Sequence, residues 1–171
     1  NWVDTRTLAP DLEGGKAMRT ALGVPEGCAH VLYSGNMAEK QGLETVIEAA
    51  ALLRERRDIR FSLCGDGPAR PRLERSAAGL DNVRFLPLQP AEALPALLSS
   101  ADAHLVVQRR GAADLVMPSK LTAILSVGGH AVITAEEGTE LGRLVREHEG
   151  IATLCAPEDP DALAGGVREV L

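Results

Sequence analysis

Two of the three lysines in this chain stand in loops whose composition suits a phosphate group. The run from Gly35 to Gly42 has a glycine at each end, contains Lys40, and leads into a long helical pattern. Glycines let a ligand approach the backbone closely, and the free N–H groups at a helix start attract anions. Together with a lysine these features indicate a diphosphate site. The alternative is a glycine turn that carries a solvated lysine.

A second candidate phosphate site lies in the run from Gln108 to Lys120. This run is long for a connection between a strand and a helix, and long ordered loops in compact domains are usually functional. Ser119 and Lys120 open the next helical pattern, where N–H, hydroxyl and ammonium groups could hold phosphate oxygens together. The alternative is a solvated basic loop that includes Arg109 and Arg110.

The run Gly65-Asp66-Gly67-Pro68 has two of the three glycines of the dinucleotide-binding fingerprint. Arg70 stands at the third position, and the run follows the second predicted strand rather than the first. A tight structural turn is therefore favoured over a nicotinamide or flavin site.

A further loop, Ala135–Glu140, leads into another helical pattern. Gly138 and Thr139 offer backbone and hydroxyl donors, and the carboxylate of Glu140 could accept from sugar hydroxyls. Acidic residues at a helix start also stabilise the helix dipole, so a purely structural interpretation stays open.

These loops all follow short apolar runs that alternate with longer helical patterns, which predicts parallel βαβ architecture. We expect an α/β fold with a doubly wound, Rossmann-like sheet of six parallel strands, whose carboxyl ends face the ligand. The predicted strands are His30–Ser34, Arg60–Leu63, Val83–Leu86, His104–Val107, Ala131–Thr134 and Ile151–Cys155. The predicted helices are Glu13–Leu22, Leu43–Arg57, Pro68–Ala78, Ala91–Ser100, Pro118–Val127, Gly138–Glu147 and Pro160–Val170.

Composition excludes several classes of protein. The 171 residues carry a net charge of -6 and only four aromatic side chains, which argues against a nucleic-acid partner. No apolar run is long enough to span a membrane. The four histidines lack metal-ligand spacing and are predicted to be structural, and the three cysteines are predicted to be buried free thiols. We therefore expect no metal and no other cofactor.

Five segments, in this order and spacing, resemble the C-terminal, donor-binding half of family 4 glycosyltransferases, which have the GT-B fold. The last two are most similar to the subgroup of colanic-acid and exopolysaccharide glycosyltransferases. The opening Asn1–Asp4 resembles the stretch by which such enzymes leave their first domain, so the resemblance covers nearly all of the chain. The segments are Val31–Asn36, Lys40–Thr45, Cys64–Pro68, Asn82–Pro90 and Asp114–Thr122.

The resemblance implies roles for individual residues. Asn36 stands where the family usually has a diphosphate-binding arginine, and Gln41 where it has a lysine. Asp114 and Thr122 stand at the two acidic positions of the E-x7-E pattern, which implies that Asp114 contacts the donor sugar and Thr122 lies near the ribose. Lys120 is then the replacement cation for the diphosphate.

The same resemblance implies that further loops contact the donor. The turn that contains Gly65 would border the nucleotide, and backbone groups of Pro87, Leu88 and Gln89 would edge the nucleobase. Gly138–Glu140 would approach the phosphate or the sugar.

The implied reaction transfers a sugar, with retention at the anomeric carbon, from a UDP- or GDP-sugar to a polysaccharide or lipid-linked acceptor. Residues 1–171 would form the nucleotide-sugar-binding domain, and an N-terminal domain outside this chain would hold the acceptor. Such an enzyme would be cytoplasmic, or peripheral on the inner face of the membrane through its other half. Two alternatives stay open, namely a nucleotide-sugar epimerase with the same donor fold and a non-enzymatic α/β nucleotide-binding module.

Overall fold

The computed structural model describes residues 8–111 and 119–171. Its strands are β1 (Ala29–Ser34), β2 (Ile59–Cys64), β3 (Val83–Leu86), β4 (Ala103–Val106), β5 (Ala131–Thr134) and β6 (Ala152–Cys155). Its α-helices are α1 (Leu12–Ala21), α2 (Glu44–Leu52), α3 (Arg70–Ser76), α4 (Leu94–Ser99), α5 (Ser119–Ser126), α6 (Glu140–Glu147) and α7 (Pro160–Val170). Two short 3₁₀ turns, Glu39–Gln41 and Ala91–Ala93, precede α2 and α4.

All six strands are parallel and form one sheet in the order β3-β2-β1-β4-β5-β6. The chain builds outward from β1 to β3, crosses back to β4 beside β1, and then builds outward in the other direction. The loops after β1 and β4 therefore diverge at the centre of the sheet, and this is where doubly wound folds bind ligands. The predicted fold class is confirmed.

Helices cover both faces of the sheet, and this is why the central strands are continuously apolar. All four residues of β4 and of β5 are buried. One face packs against α2, α3 and α7, and the other against α1, α4, α5 and α6. Burial of both faces favours runs of aliphatic residues over an alternating pattern.

The strand predictions are correct to within one residue at each end, but several helices begin later or end earlier than predicted. The predicted helix Leu43–Arg57 ends at Leu52, although its apolar stripe through Leu53 is buried as expected. Beyond it Arg56 pairs with Asp58 in a turn, so the arginines that the sequence assigns to the helix end lie outside it.

The other differences have local causes. The helix predicted from Pro68 begins at Arg70, because Gly67 and Pro68 belong to the preceding turn. The helix predicted from Gly138 begins at Glu140, because Thr139 caps it. Cys64 and Cys155 are buried as predicted, whereas Cys28 is only half-buried. No helix of the described residues has the length and apolar character needed to cross a membrane.

Candidate functional site

The loop after β1 is held in place by backbone hydrogen bonds to the loop after β2. The N–H of Gly35 donates to the Cys64 carbonyl at 2.9 Å, and the N–H of Met37 donates to the Asp66 carbonyl at 2.8 Å. In return the N–H of Ala69 donates to the Met37 carbonyl at 3.0 Å. The candidate phosphate loop is therefore a fixed platform at the carboxyl edge of the sheet.

The glycines of the loop after β2 make this close approach possible. Gly65 and Gly67 have φ of +151° and +152°, a region that side chains rarely adopt. A Cβ at Gly65 would collide with the Gly35 carbonyl oxygen, and a Cβ at Gly67 would come within 2.6 Å of the Met37 carbonyl oxygen. The predicted tight structural turn is confirmed, and contact of Gly65 with a donor stays a prediction.

Lys120 lies at the centre of the predicted ligand edge. It belongs to α5, which packs on one face of the sheet, and its ammonium lies 4.0 Å from the ring centroid of Tyr33, which belongs to the core on the other face. The side chain reaches this position at Gly35, where a Cβ would come within 2.9 Å of the Lys120 Nζ. The absence of a side chain at Gly35 thus opens the path by which Lys120 crosses the strand end.

The environment of this ammonium is unusual for a lysine. Burial lowers the pKa of Lys120 from 10.5 to about 8, because the charged form loses hydration at this position. The Tyr33 ring offers a cation–π contact in compensation. With a pKa of about 8, Lys120 is mostly protonated at pH 7 and can meet an anion.

A cavity of about 340 Å³ lies beside Lys120, between α4, α5 and the central strands. Apolar side chains such as Leu32, Leu98 and Ile124 form most of its wall. Its polar lining groups include Ser34 at the end of β1, together with Ser119 and Lys120 at the start of α5. This combination of apolar walls and a few polar groups is typical of a small-molecule site.

His104 also lines this cavity. The side chain is 1% exposed, and its Nε2 has no hydrogen-bond partner among residues 8–111 and 119–171. Burial lowers the pKa of His104 to about 4, so the ring is neutral at pH 7. Two other histidines bond neutral partners, His30 to Ser62 and His130 to Thr153, as expected of structural side chains.

The other candidate residues of the loop after β1 have side chains that are exposed or half-buried. Asn36 is exposed, and its carbonyl accepts a 2.6 Å hydrogen bond from the Tyr33 hydroxyl. Lys40 is exposed and Gln41 is half-buried in the 3₁₀ turn. The side chains of Asn36 and Lys40 are therefore accessible to a ligand.

Arg109, in the predicted basic loop after β4, is occupied in holding the loop after β1. Its backbone N–H donates to the Lys40 carbonyl at 3.0 Å, and its Nε donates to the Glu39 carbonyl at 2.7 Å. Its guanidinium also lies 3.4 Å from carboxylate oxygens of both Glu44 and Glu158. The interpretation of this segment as a solvated basic loop is wrong for Arg109, which serves as a brace between two loops.

The loop after β3 presents the residues expected at the nucleobase. The Pro87 carbonyl accepts from the Cys64 thiol at 3.1 Å and from the Gln89 side-chain amide at 3.0 Å, so its hydrogen-bonding capacity is already used. Leu88 is 67% exposed, unusually so for a leucine. The loop therefore offers an apolar surface, and its contact with a base stays a prediction.

The loop after β5 is organised by a helix cap. The Thr139 hydroxyl accepts from the Gly142 N–H at 3.1 Å and donates to the Glu136 carbonyl at 2.7 Å. These bonds favour a structural role for the Thr139 hydroxyl. Gly138 and Glu140 are exposed and remain accessible for the predicted ligand contacts.

Asp114 and Thr122 are the two residues that stand at the acidic positions of the family pattern. Asp114 lies outside the described residues. The Thr122 hydroxyl donates to the Ser119 carbonyl at 3.1 Å, within the first turn of α5. Among the described residues that line the cavity, Ala123 is present and Thr122 is not.

Sequence reasoning missed three residues at this site, namely Tyr33, Ser34 and His104. Tyr33 and Ser34 enter the sequence analysis only as members of a predicted strand and of the segment Val31–Asn36, and His104 only as a strand residue and a structural histidine. The one available signal was that the single tyrosine of the chain directly precedes Ser34-Gly35. Nothing in the sequence alone places its ring beside Lys120, because this depends on β4 returning to lie next to β1.

Comparison with known proteins identifies the family and the fold of this chain. The family model described as glycosyl transferases group 1 matches residues 28–171. The chain is 55% identical over 157 residues to the putative colanic acid biosynthesis glycosyl transferase WcaI of Escherichia coli, covering 91% of this chain and 38% of that protein. It is 37% identical over 106 residues to the alpha-D-kanosaminyltransferase of Streptomyces kanamyceticus, covering 60% of this chain and 28% of that protein.

Solved structures share the fold. The C-terminal domain of a glycosyl transferase group 1 family protein (LpcC) from Francisella tularensis has a TM-score of 0.78 at 16% identity, covering 99% of this chain and 87% of that one. Anabaena HepE in complex with UDP and glucose has a TM-score of 0.80 at 17% identity, covering 99% of this chain and 45% of that one.

This chain spans 38% of the length of its WcaI relative and 28% of that of the kanosaminyltransferase. The family match, in contrast, extends from before β1 to the last residue, Leu171. Taken with the parallel sheet, the match shows that this chain belongs to the group 1 family of glycosyl transferases.

Proposed function

We propose that this chain is the donor-binding domain of a retaining glycosyltransferase that uses a UDP- or GDP-sugar. The observation that carries the proposal is the cavity between α4, α5 and the central strands, whose lining includes Ser34, Ser119 and Lys120. At about 340 Å³ it falls in the range of roughly 300–1,000 Å³ that is common for small-molecule sites.

The polar groups of the cavity match the demands of the reaction. When the bond between sugar and diphosphate breaks, negative charge develops on the leaving diphosphate and must be stabilised. The Lys120 ammonium supplies a cation, and the start of α5 supplies the Ser119 hydroxyl. We propose that these groups, with the loop after β1, meet the diphosphate without a metal ion.

The burial that lowers the pKa of Lys120 also strengthens its effect on an anion. A charge pair in a poorly hydrated site attracts more strongly than one in bulk water. A bound diphosphate would restore the pKa of Lys120 toward its ordinary value, so that donor binding near pH 8 takes up a proton.

The relatives support the class of donor and acceptor. Solved structures of Anabaena HepE hold UDP with glucose, or UDP-glucose. The name of WcaI places that protein in colanic acid biosynthesis. We propose, for this chain, a nucleotide-diphosphate sugar as donor and a polysaccharide or lipid-linked acceptor, with the acceptor held by an N-terminal domain of the full enzyme.

Calorimetric titration of the 171-residue chain with UDP, GDP, ADP and NAD tests the donor site. We expect UDP or GDP to bind, and binding to survive treatment with EDTA. A failure of both diphosphates to bind at a few millimolar contradicts the proposal, and preferential binding of NAD indicates a different class of protein.

Substitution of lysines locates the diphosphate. Lys120→Met should reduce affinity for the bound diphosphate by about tenfold or more, because a hydrogen bond to a charged group is lost, and should leave affinity for the matching nucleoside unchanged. Lys16→Met is the matched control, since Lys16 is exposed on α1 and pairs with Glu13. An equal loss for diphosphate and nucleoside would show that Lys120 does not contact the phosphates.

The reaction is tested on both the isolated chain and the full-length enzyme, because this chain spans only 38% of the length of its WcaI relative. We expect the isolated chain to transfer no sugar, and the full enzyme to give a product whose anomeric configuration matches the donor, as read from proton NMR coupling constants. An inverted product refutes the retaining mechanism. Formation of a free or epimerised sugar without acceptor favours the epimerase alternative.

A further inference from the structure

The aromatic ring of Tyr33 lies against Lys120 in the candidate diphosphate site. It is fully buried, and it contacts both elements that would meet the diphosphate. Its hydroxyl donates a 2.6 Å hydrogen bond to the Asn36 carbonyl in the loop after β1. The centroid of its ring lies 4.0 Å from the Lys120 ammonium at the start of α5.

We propose that Tyr33 is a positioning residue for the donor diphosphate. The ring of Tyr33 holds the Lys120 ammonium in place, and its hydroxyl holds the Asn36 carbonyl. The inference rests on the proposed function and deepens it by assigning a role to a buried side chain. One rigid ring thereby sets the distance between the cation and the loop.

The ring does more than fill the core. A buried tyrosine normally places its hydroxyl on a partner and its faces against apolar groups. Here a lysine side chain from the opposite side of the sheet reaches this ring at Gly35, where a Cβ would come within 2.9 Å of Nζ. The contact therefore depends on the residue types at three positions, namely Tyr33, Gly35 and Lys120.

The contact with the Tyr33 ring also explains why a charged lysine is tolerated at this buried position. Burial disfavours the ammonium, and among residues 8–111 and 119–171 no carboxylate is within ion-pair distance of Lys120. The negative face of an aromatic ring attracts a cation without neutralising it, so the ammonium keeps its full charge for an anionic ligand. A carboxylate in the same place would compete with the diphosphate.

The test separates the ring from the hydroxyl by two substitutions at one position. Tyr33→Phe removes the hydroxyl and keeps the ring, and pentafluorophenylalanine incorporated at position 33 keeps that shape while reversing the charge distribution of the ring. NMR of 13C-labelled lysine, followed against pH, reports the pKa of Lys120 from its Cε signal. The chain has only three lysines, and the signal that disappears in Lys120→Met is that of Lys120. Binding of UDP, GDP and the matching nucleosides is measured on the same proteins.

We expect Tyr33→Phe to lower diphosphate affinity by about threefold, because one neutral hydrogen bond to the loop is lost, and to leave the pKa of Lys120 near that of the wild type. Relative to Tyr33→Phe, the pentafluorinated ring should lower the pKa of Lys120 further and weaken diphosphate binding by about tenfold. Nucleoside affinity should not change. A side chain that merely fills the core would give the same pKa of Lys120 with either ring, since the two rings are similar in shape and differ mainly in charge distribution.

Different results would overturn the positioning role of Tyr33 and the proposed function. If wild-type protein binds a diphosphate through Lys120 but both rings give equal pKa and equal affinity, the positioning role is overturned and the proposed function stands. If wild-type protein binds neither UDP nor GDP, the proposed function is overturned, and with it the role of Tyr33 toward a donor.

Discussion

Replacing Lys120 by methionine should stabilise the domain, in addition to weakening the proposed binding of a diphosphate. In the folded state, burial lowers the pKa of Lys120 from 10.5 to about 8, which means that the fold disfavours the charged side chain. Each unit of pKa corresponds to about 1.4 kcal/mol, so the penalty at neutral pH is at most about 3 kcal/mol. The half-buried side chain retains some hydration, which reduces this figure.

Methionine keeps the length of the side chain and removes the charge. It also removes the cation–π contact with Tyr33, worth roughly 1 kcal/mol. We therefore expect Lys120→Met to raise the free energy of unfolding at pH 7 by about 1–2 kcal/mol. Urea denaturation followed by circular dichroism measures this difference, and Lys16→Met on the surface of α1 should change it by less than about 0.5 kcal/mol.

The dependence on pH provides the sharper test. Below pH 8 both folded and unfolded wild-type chains carry the charged lysine, so the penalty is present in full. Between pH 8 and 10.5 only the unfolded chain remains charged, so wild-type stability rises relative to Lys120→Met. The advantage of the variant should thus disappear by about pH 10.5. A variant that is less stable than wild type at pH 7, or an advantage that does not change with pH, refutes the reasoning.

Three further outcomes are expected. Gly65→Ala should destabilise the fold by more than about 3 kcal/mol in thermal unfolding, because its methyl group would collide with the Gly35 carbonyl, whereas Gly27→Ala, with φ of +78° but open space around it, should lose about 1 kcal/mol. Acid should remove up to about 3 kcal/mol of stability as the pH falls from 6.5 to about 4, because buried His104 must take up a proton, and urea midpoints for His104→Gln should show a weaker dependence over that window. Asp114→Ala should spare the affinity for UDP or GDP but reduce that for the nucleotide sugar, and equal calorimetric affinities for both ligands would disprove its assigned contact.

The strands of the sheet could be predicted because each one is marked by residues that are adjacent in the sequence. Each strand is a short aliphatic run, and β5, Ala131–Thr134, matches its prediction residue for residue. Helix ends were less predictable, because they depend on caps and turns such as Thr139 before α6. The arginines after Leu53 look helical in sequence, but they lie beyond the helix, where Arg56 pairs with Asp58 and Arg57 with Asp81.

The candidate site was predictable in its loops and less so in its contacts. Lys120 was identified from its place at a helix start, and the structure puts it beside the cavity. Its contact with Tyr33 and the bracing role of Arg109 arise between segments far apart in the chain. Such contacts depend on which strands become neighbours, and no spacing within a single loop contains that information.

The backbone bonds that hold the loop after β1 have a consequence for changing donor preference. Because the Gly35 N–H and both backbone groups of Met37 bond to the loop after β2, the position of the loop does not depend on the side chains of Asn36 and Lys40. Asn36 and Lys40 can therefore be randomised together while the platform beneath them stays in place. If the proposed donor site is correct, a library at these two positions changes the side chains that face the ligand with little loss of stability.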